Sequence, residues 1–156
     1  MHDSTYRQGE SGVAHHGLET VALPAALADQ IVGLLVEALP HEGCGVVGMT
    51  GHEVTRVYPI RNVSPSATSY TLDPRELVQA LRTAHDEDAP IGGLFHSHPE
   101  GAPYPSSVDL ATDVDRAWVH LIVALSGELS VIRAFRFGID GVTRVDIVRP
   151  PNPPAH

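Results

Sequence analysis

Two histidines stand one residue apart in "GLFHSHPEGAPYPSSVDLA", His96 and His98, and a proline and glycine loop separates them from Asp109 at the head of an apolar run. Residues two apart in extended chain project from the same face, so both imidazoles can reach one ion while Ser97 points away. Asp109, in the first turn of a following helix, can add an oxygen. Two imidazoles and one carboxylate suit zinc, and three protein ligands rather than four leave a position open for water, which is the pattern of a catalytic centre. A second reading needs no metal. "SSVD", Ser106 to Asp109, has the form of a helix-capping box with Ser106 as cap and Asp109 three residues on. The two readings are compatible.

A catalytic metal also needs a group that takes a proton from its water. Glu100 lies two residues past His98 on a Pro/Gly loop, whereas Glu42 in "PHEGCGVVG" directly precedes a strand among glycines that let backbone approach closely. The residues alone leave that choice open. His2, His15, His16 and His156 fall in the tails, His52 and His85 in turns or helix ends, and His120 reads as a hydrogen-bonded core residue. Cys44 is the only cysteine, which excludes an internal disulfide and a multi-cysteine zinc site and fits a reducing, cytoplasmic setting.

The elements that must position these groups can be read from periodicity. "LETVAL" (18–23) alternates as an opening strand. Leu27, Ile31, Leu34, Leu35 and Ala38 then recur at helical spacing until Pro40. "GVVGM" and "EVTRVYPI" read as a hairpin about "TGH". "LDPREL" starts a helix with Asp73 as cap, Pro74 first and Glu76 third, and with Leu77, Ala80, Leu81 and Ala84 as its buried stripe. "IGGLF" is a strand running into the histidine pair, and "AWVHLIVAL" suits a central strand covered on both faces. "SVIRAFRFGIDGVTRVDIV" closes the domain as a hairpin about Asp140 and Gly141. The pattern predicts an α/β domain, a mixed sheet sandwiched by helices, over 18–148. Residues 1–17 read as a disordered leader and 149–156 as a proline-rich tail with no means of packing.

Composition narrows the partners. A chain of 156 residues fits one domain, and 42% hydrophobic with 19% charged residues is ordinary for a soluble protein. No apolar run reaches the roughly 18–20 residues of a membrane span, and the N-terminus lacks the form of a secretory signal. A formal charge of −9, with all ten basic residues Arg and no Lys, disfavours nucleic acid as a partner.

Taken together, Glu42, "HSHP" at 96–99 and Ser106 with Asp109 resemble the JAMM (MPN-plus) metalloproteases, whose pattern is Glu, then H-S/T-H-P, a loop, and S-x-x-D. Ten residues separate His98 from Asp109, as in that family, and "EGCG" looks like the element around the glutamate of prokaryotic members. The resemblance implies that His96, His98 and Asp109 bind one zinc ion with a bound water, that Glu42 handles the proton, and that Ser106 helps to stabilise the oxyanion. It implies a mixed sheet flanked by helices, similar to cytidine deaminases. A chain this short looks like the minimal bacterial form, which acts on the C-terminal Gly-Gly tail of small ubiquitin-like sulfur-carrier proteins. Release of cysteine from a CysO-type carrier is the reading favoured here. Removal of a C-terminal extension from a ThiS- or MoaD-like carrier, deconjugation of ubiquitin-like modifiers and a non-catalytic MPN scaffold are the rivals. Cys44 is expected to pack rather than to bind metal. A zinc deaminase would need H-x-E with P-C-x-x-C, and neither is present. The oligomeric state is open, a homodimer included.

Overall fold

The computed structural model describes residues 13–111 and 117–152. β1 (Val13–Ala22) leads into α1 (Ala25–Ala38), and β2 (Cys44–Thr50) and β3 (Glu53–Ile60) follow as an antiparallel hairpin. α2 (Pro74–Asp86) precedes β4 (Ile91–His98), the five-residue α3 (Ser107–Ala111) precedes β5 (Val119–Ala124), and β6 (Val131–Gly138) and β7 (Gly141–Val148) close the domain.

The sheet is mixed, as expected, but it is not an open layer. Its order β1-β3-β2-β4-β5-β6-β7 closes on itself. β1 runs parallel to β7 and meets β3 at the single pair Ala22 and Glu53, where Ala22 N–H donates to His52 O at 2.8 Å. Alternation shows why the ring holds. One face of every strand, including Val47, Phe95, Leu121, Ala134 and Val145, shares one core with Ala28, Ile31 and Leu35 of α1. The sheet therefore curves over the apolar stripe of that helix, whose opposite face stays exposed. α2 covers the opposite face, where Ala80 and Leu77 pack on Val46 and Ile60. β5 is buried along its whole length, as its unbroken apolar run predicts.

Four expectations need correction. β1 begins at Val13 rather than Leu18, so five residues assigned to the leader are strand, and residues 1–12 lie outside the described residues. Leu81 is 39% exposed, because α2 meets the sheet through the small residues Ala80 and Ala84. The last hairpin turns at Ile139 and Asp140, with Gly141 already paired to Gly138. The start of the tail does pack: Arg149 donates to Leu23 O at 3.2 Å, and Asn152 Oδ1 accepts from Ala26 N–H at 3.0 Å. α1 starts behind Pro24, which has no side-chain acceptor for the free amides of the first turn, and Asn152 serves as a cap from 126 residues away. Asn152→Ala is expected to lower stability to urea by about 1 kcal/mol, the usual cost of a lost cap; an unchanged midpoint would show that this contact carries nothing.

Among the described residues no helix is long and apolar enough to cross a membrane.

Candidate metal centre

β4 ends in the histidine pair, and its pleat sends His96 and His98 to one face and Ser97 to the other. Across the loop, α3 brings Asp109 to the same point. His96 Nε2 lies 3.2 Å from Asp109 Oδ1 and 3.2 Å from His98 Nε2, and His98 Nε2 lies 2.9 Å from Asp109 Oδ2. All three residues are buried, with exposures of 1%, 7% and 3%. Ser106 and Asp109 also form the predicted capping box. Ser106 N–H donates to Asp109 Oδ2 at 2.9 Å and Asp109 N–H to Ser106 Oγ at 3.1 Å, which fixes the carboxylate in its rotamer. The cap and the cluster are one construction.

The donor set can be tested for a divalent cation on its own hydrogen bonds. His98 Nδ1–H donates to Ala102 O at 2.7 Å; burial pulls the His98 pKa down, but its hydrogen bonds to Asp109 and Ala102 O raise it above the ordinary imidazole range, so in the absence of a cation a proton sits between Nε2 and the carboxylate. Burial holds His96 below the ordinary imidazole range despite the pull of Asp109, which favours its neutral form, and its buried Nδ1 has no partner among the described residues. Burial alone would raise the Asp109 pKa, but hydrogen bonds with His96 and His98 hold it well below the carboxylate range. A divalent cation would take the place of the proton between His98 and Asp109, with Nδ1–H of His98 kept on Ala102 O and its Nε2 lone pair, the His96 imidazole and the carboxylate as donors. Ligand atoms around tetrahedral zinc lie about 3.3 Å apart. The two imidazoles meet different oxygens of Asp109 at 3.2 and 2.9 Å, and one ligand atom from each of the three residues lies within 4.8 Å of the others, close enough for one divalent ion to draw them together.

Glu42 is buried and close enough to this cluster for the charges of Asp109 and His98 to act on it, whereas Glu100 is exposed on its loop. Glu42 is 3% exposed, and its Oε1 has no hydrogen-bond partner. Burial first and the nearby Asp109 carboxylate second push its pKa up to about 7, with His98 opposing. A carboxyl raised from 4.5 to about 7 is neutral and unstrained below 4.5, and it weakens the fold as pH rises through 7. Metal-free Glu42→Gln protein should therefore be more stable than metal-free wild type at pH 8, by up to roughly 3 kcal/mol, with the gap closing towards pH 4.5. Urea titrations at several pH values check this; a gap independent of pH would contradict it.

The approach of Glu42 to the histidines depends on Gly43 and Ser97. Ser97 N–H donates to Gly43 O at 3.1 Å, and Gly43 N–H donates to Ser97 Oγ at 2.9 Å. A Cβ on Gly43 would meet Ala38 Cβ and Leu35 Cδ2 at 2.9 Å, so the packing of this peptide against α1 requires glycine. Sequence reasoning put Ser97 on the face opposite the two histidines and missed that it holds the segment bearing the glutamate. Tyr70 was missed too: its ring stacks on His96 with centroids 4.6 Å apart. Cys44 pairs in register with His96, but its thiol donates to Ile60 O at 3.3 Å and burial pushes its pKa up to about 12, so it packs as expected. His120 is buried and stacked on Phe137.

The mixed sheet, the His-x-His strand end and the aspartate from the next helix lie on the residues that carry the resemblance to the JAMM proteins. The chain belongs to the family described as prokaryotic homologs of the JAB domain, whose profile matches residues 24–138, and it is a minimal prokaryotic JAMM/MPN protein. It is 35% identical over 108 residues to a probable TtuB-protein conjugate cleaving protease of Thermus thermophilus, covering 67% of this chain and 72% of that one. It is 32% identical over 129 residues to the CysO-cysteine peptidase of Mycobacterium tuberculosis, covering 78% and 87%. The solution structure of a protein from Desulfitobacterium hafniense superposes with a TM-score of 0.79 at 29% identity, covering 85% of this chain and 94% of that one.

Proposed function

We propose that this chain is a zinc-dependent cytoplasmic peptidase that hydrolyses the amide after the C-terminal Gly-Gly of a small ubiquitin-like sulfur-carrier protein, releasing cysteine from a CysO-type adduct. The observation that carries the reading is the buried His96, His98 and Asp109 cluster with the buried Glu42 carboxyl close enough to feel the charges of Asp109 and His98. The names of the relatives support the substrate class, since one is a peptidase for a CysO–cysteine adduct and the other a protease for TtuB conjugates. The complete ligand set speaks against a non-catalytic scaffold. Similarity of the fold to cytidine deaminases belongs to the same reading.

His96, His98 and Asp109 would hold the ion. Zinc bound there supplies a Lewis acid and brings the pKa of water down to about 7. Glu42 takes the proton of the attacking water and passes it to the leaving amine, a role that suits a carboxyl near pH 7. The Ser106 oxygen already accepts Asp109 N–H, so its own hydrogen is left to donate to the oxyanion that develops on the scissile carbonyl. The hydrogen bond from His98 to Ala102 keeps the imidazole in one tautomer and orientation. Gly-Gly presents no side chain on the acyl side, so an extended tail can lie close to such a centre.

The experiment is to incubate the zinc-loaded protein with three carrier substrates: a cysteine adduct, a carrier with a short C-terminal extension and an isopeptide conjugate. Mass spectrometry of the products then follows. Preferential cleavage of the adduct after Gly-Gly is the expected result. Preference for either of the others reassigns the leaving group, and no cleavage of any removes the peptidase reading.

A further inference from the structure

Glu42 and Gly43 lie between α1 and β2, outside any ladder, so the general base hangs on a peptide that the sheet does not hold. Ser97 fixes Gly43 from one side. On the other side, both polar groups of the Glu42 main chain are taken by the connection between β3 and α2: Glu42 N–H donates to Ser66 O at 2.7 Å, and Glu42 O accepts from Asn62 Nδ2 at 3.0 Å. Asn62 also closes that connection on itself. Its Nδ2 donates to Ser69 O at 3.3 Å, and its Oδ1 accepts from Ser64 N–H at 3.1 Å and Thr71 N–H at 2.9 Å. Two donors and two acceptors exhaust what an asparagine side chain offers. Val63 N–H donating to Thr71 O at 2.9 Å and the bridge between Asn62 and Leu72 pinch the loop at its base, and the loop then lays Tyr70 on the ring of His96.

We propose that Asn62 is a positioning residue for the reaction: through it the loop 62–72 grips the peptide of Glu42 and the ring of His96 together, and so sets the distance from the base to the metal centre. The inference rests on the role proposed for Glu42. Asparagine is required because the grip needs a donor towards Glu42 O and an acceptor towards Ser64 and Thr71 on one short side chain. Aspartate keeps the acceptor and sets an oxygen against the Glu42 carbonyl, and glutamine is a methylene too long. Displacement of a catalytic group by about 1 Å is enough to lower a rate by about 10²-fold.

Asn62→Asp separates the two functions of the side chain, and Asn62→Ala removes both. Zinc content, amide hydrogen exchange at Glu42 and Val63, and kcat and KM on the carrier substrate are measured for each and for wild type. The expected result for Asn62→Asp is full zinc, a Val63 amide protected as in wild type, exchange at Glu42 faster by at least about tenfold, and kcat lower by at least about tenfold with KM within about twofold. Wild-type exchange at Glu42 together with wild-type kcat in Asn62→Asp overturns the proposal, and so does loss of zinc, which would place the effect on the metal site. If wild type cleaves no carrier substrate, the peptidase reading fails by itself, and the exchange rates at Glu42 still decide whether Asn62 holds that peptide.

Discussion

Glu42→Gln is expected to lower turnover by at least about 10²-fold while zinc stays at one per chain. Glutamine matches glutamate in volume, so a site only 3% exposed is neither emptied nor overfilled, and the loop that holds the main chain at position 42 is untouched. What is lost is the capacity to accept a proton. The three ligand residues lie elsewhere, on β4 and α3, so the ion should stay. Elemental analysis alongside a turnover assay checks both halves. Full turnover in Glu42→Gln would move the base role elsewhere; Glu100→Gln, on an exposed loop residue, is the control expected to change nothing.

Asp109→Asn is expected to lose both metal and activity. Asparagine keeps an oxygen for Ser106 N–H and leaves the α3 cap largely in place, so the substitution isolates the charge. Without that charge two neutral imidazoles face a neutral amide, and a divalent ion loses its one anionic partner. Changing groups that merely orient ligands costs 10–100-fold in metal affinity, so removing the carboxylate itself should cost more than about 100-fold. Isothermal titration with zinc measures this, and an affinity within tenfold of wild type would contradict the assignment.

The part of the site that was legible in the sequence is the part built from local rules. His96 and His98 share a face because strands alternate, and Asp109 sits on α3 because Ser106 caps it; both relations span few residues. The supports of Glu42 reach across the chain and left no local trace. Ser97 acts on Gly43 over 54 residues and Asn62 on Glu42 over 20, and each reads in sequence as an ordinary polar residue. Tyr70 lies in a connection with no periodicity to place its ring on His96. The same distinction explains the fold. α1, α2 and the two hairpins follow from periodicity and turns, whereas closure of the sheet rests on one pair between β1 and β3 and on a core shared with α1, which no single segment encodes. The cap that Asn152 lends to α1 is another long-range contact of this kind.

The most direct test of the account is the zinc-to-protein ratio of the purified native chain, measured by elemental mass spectrometry beside Asp109→Asn prepared identically. The account predicts a ratio of one in the native chain and near zero in the variant. A native chain without stoichiometric metal, or equal ratios in the two proteins, would contradict it.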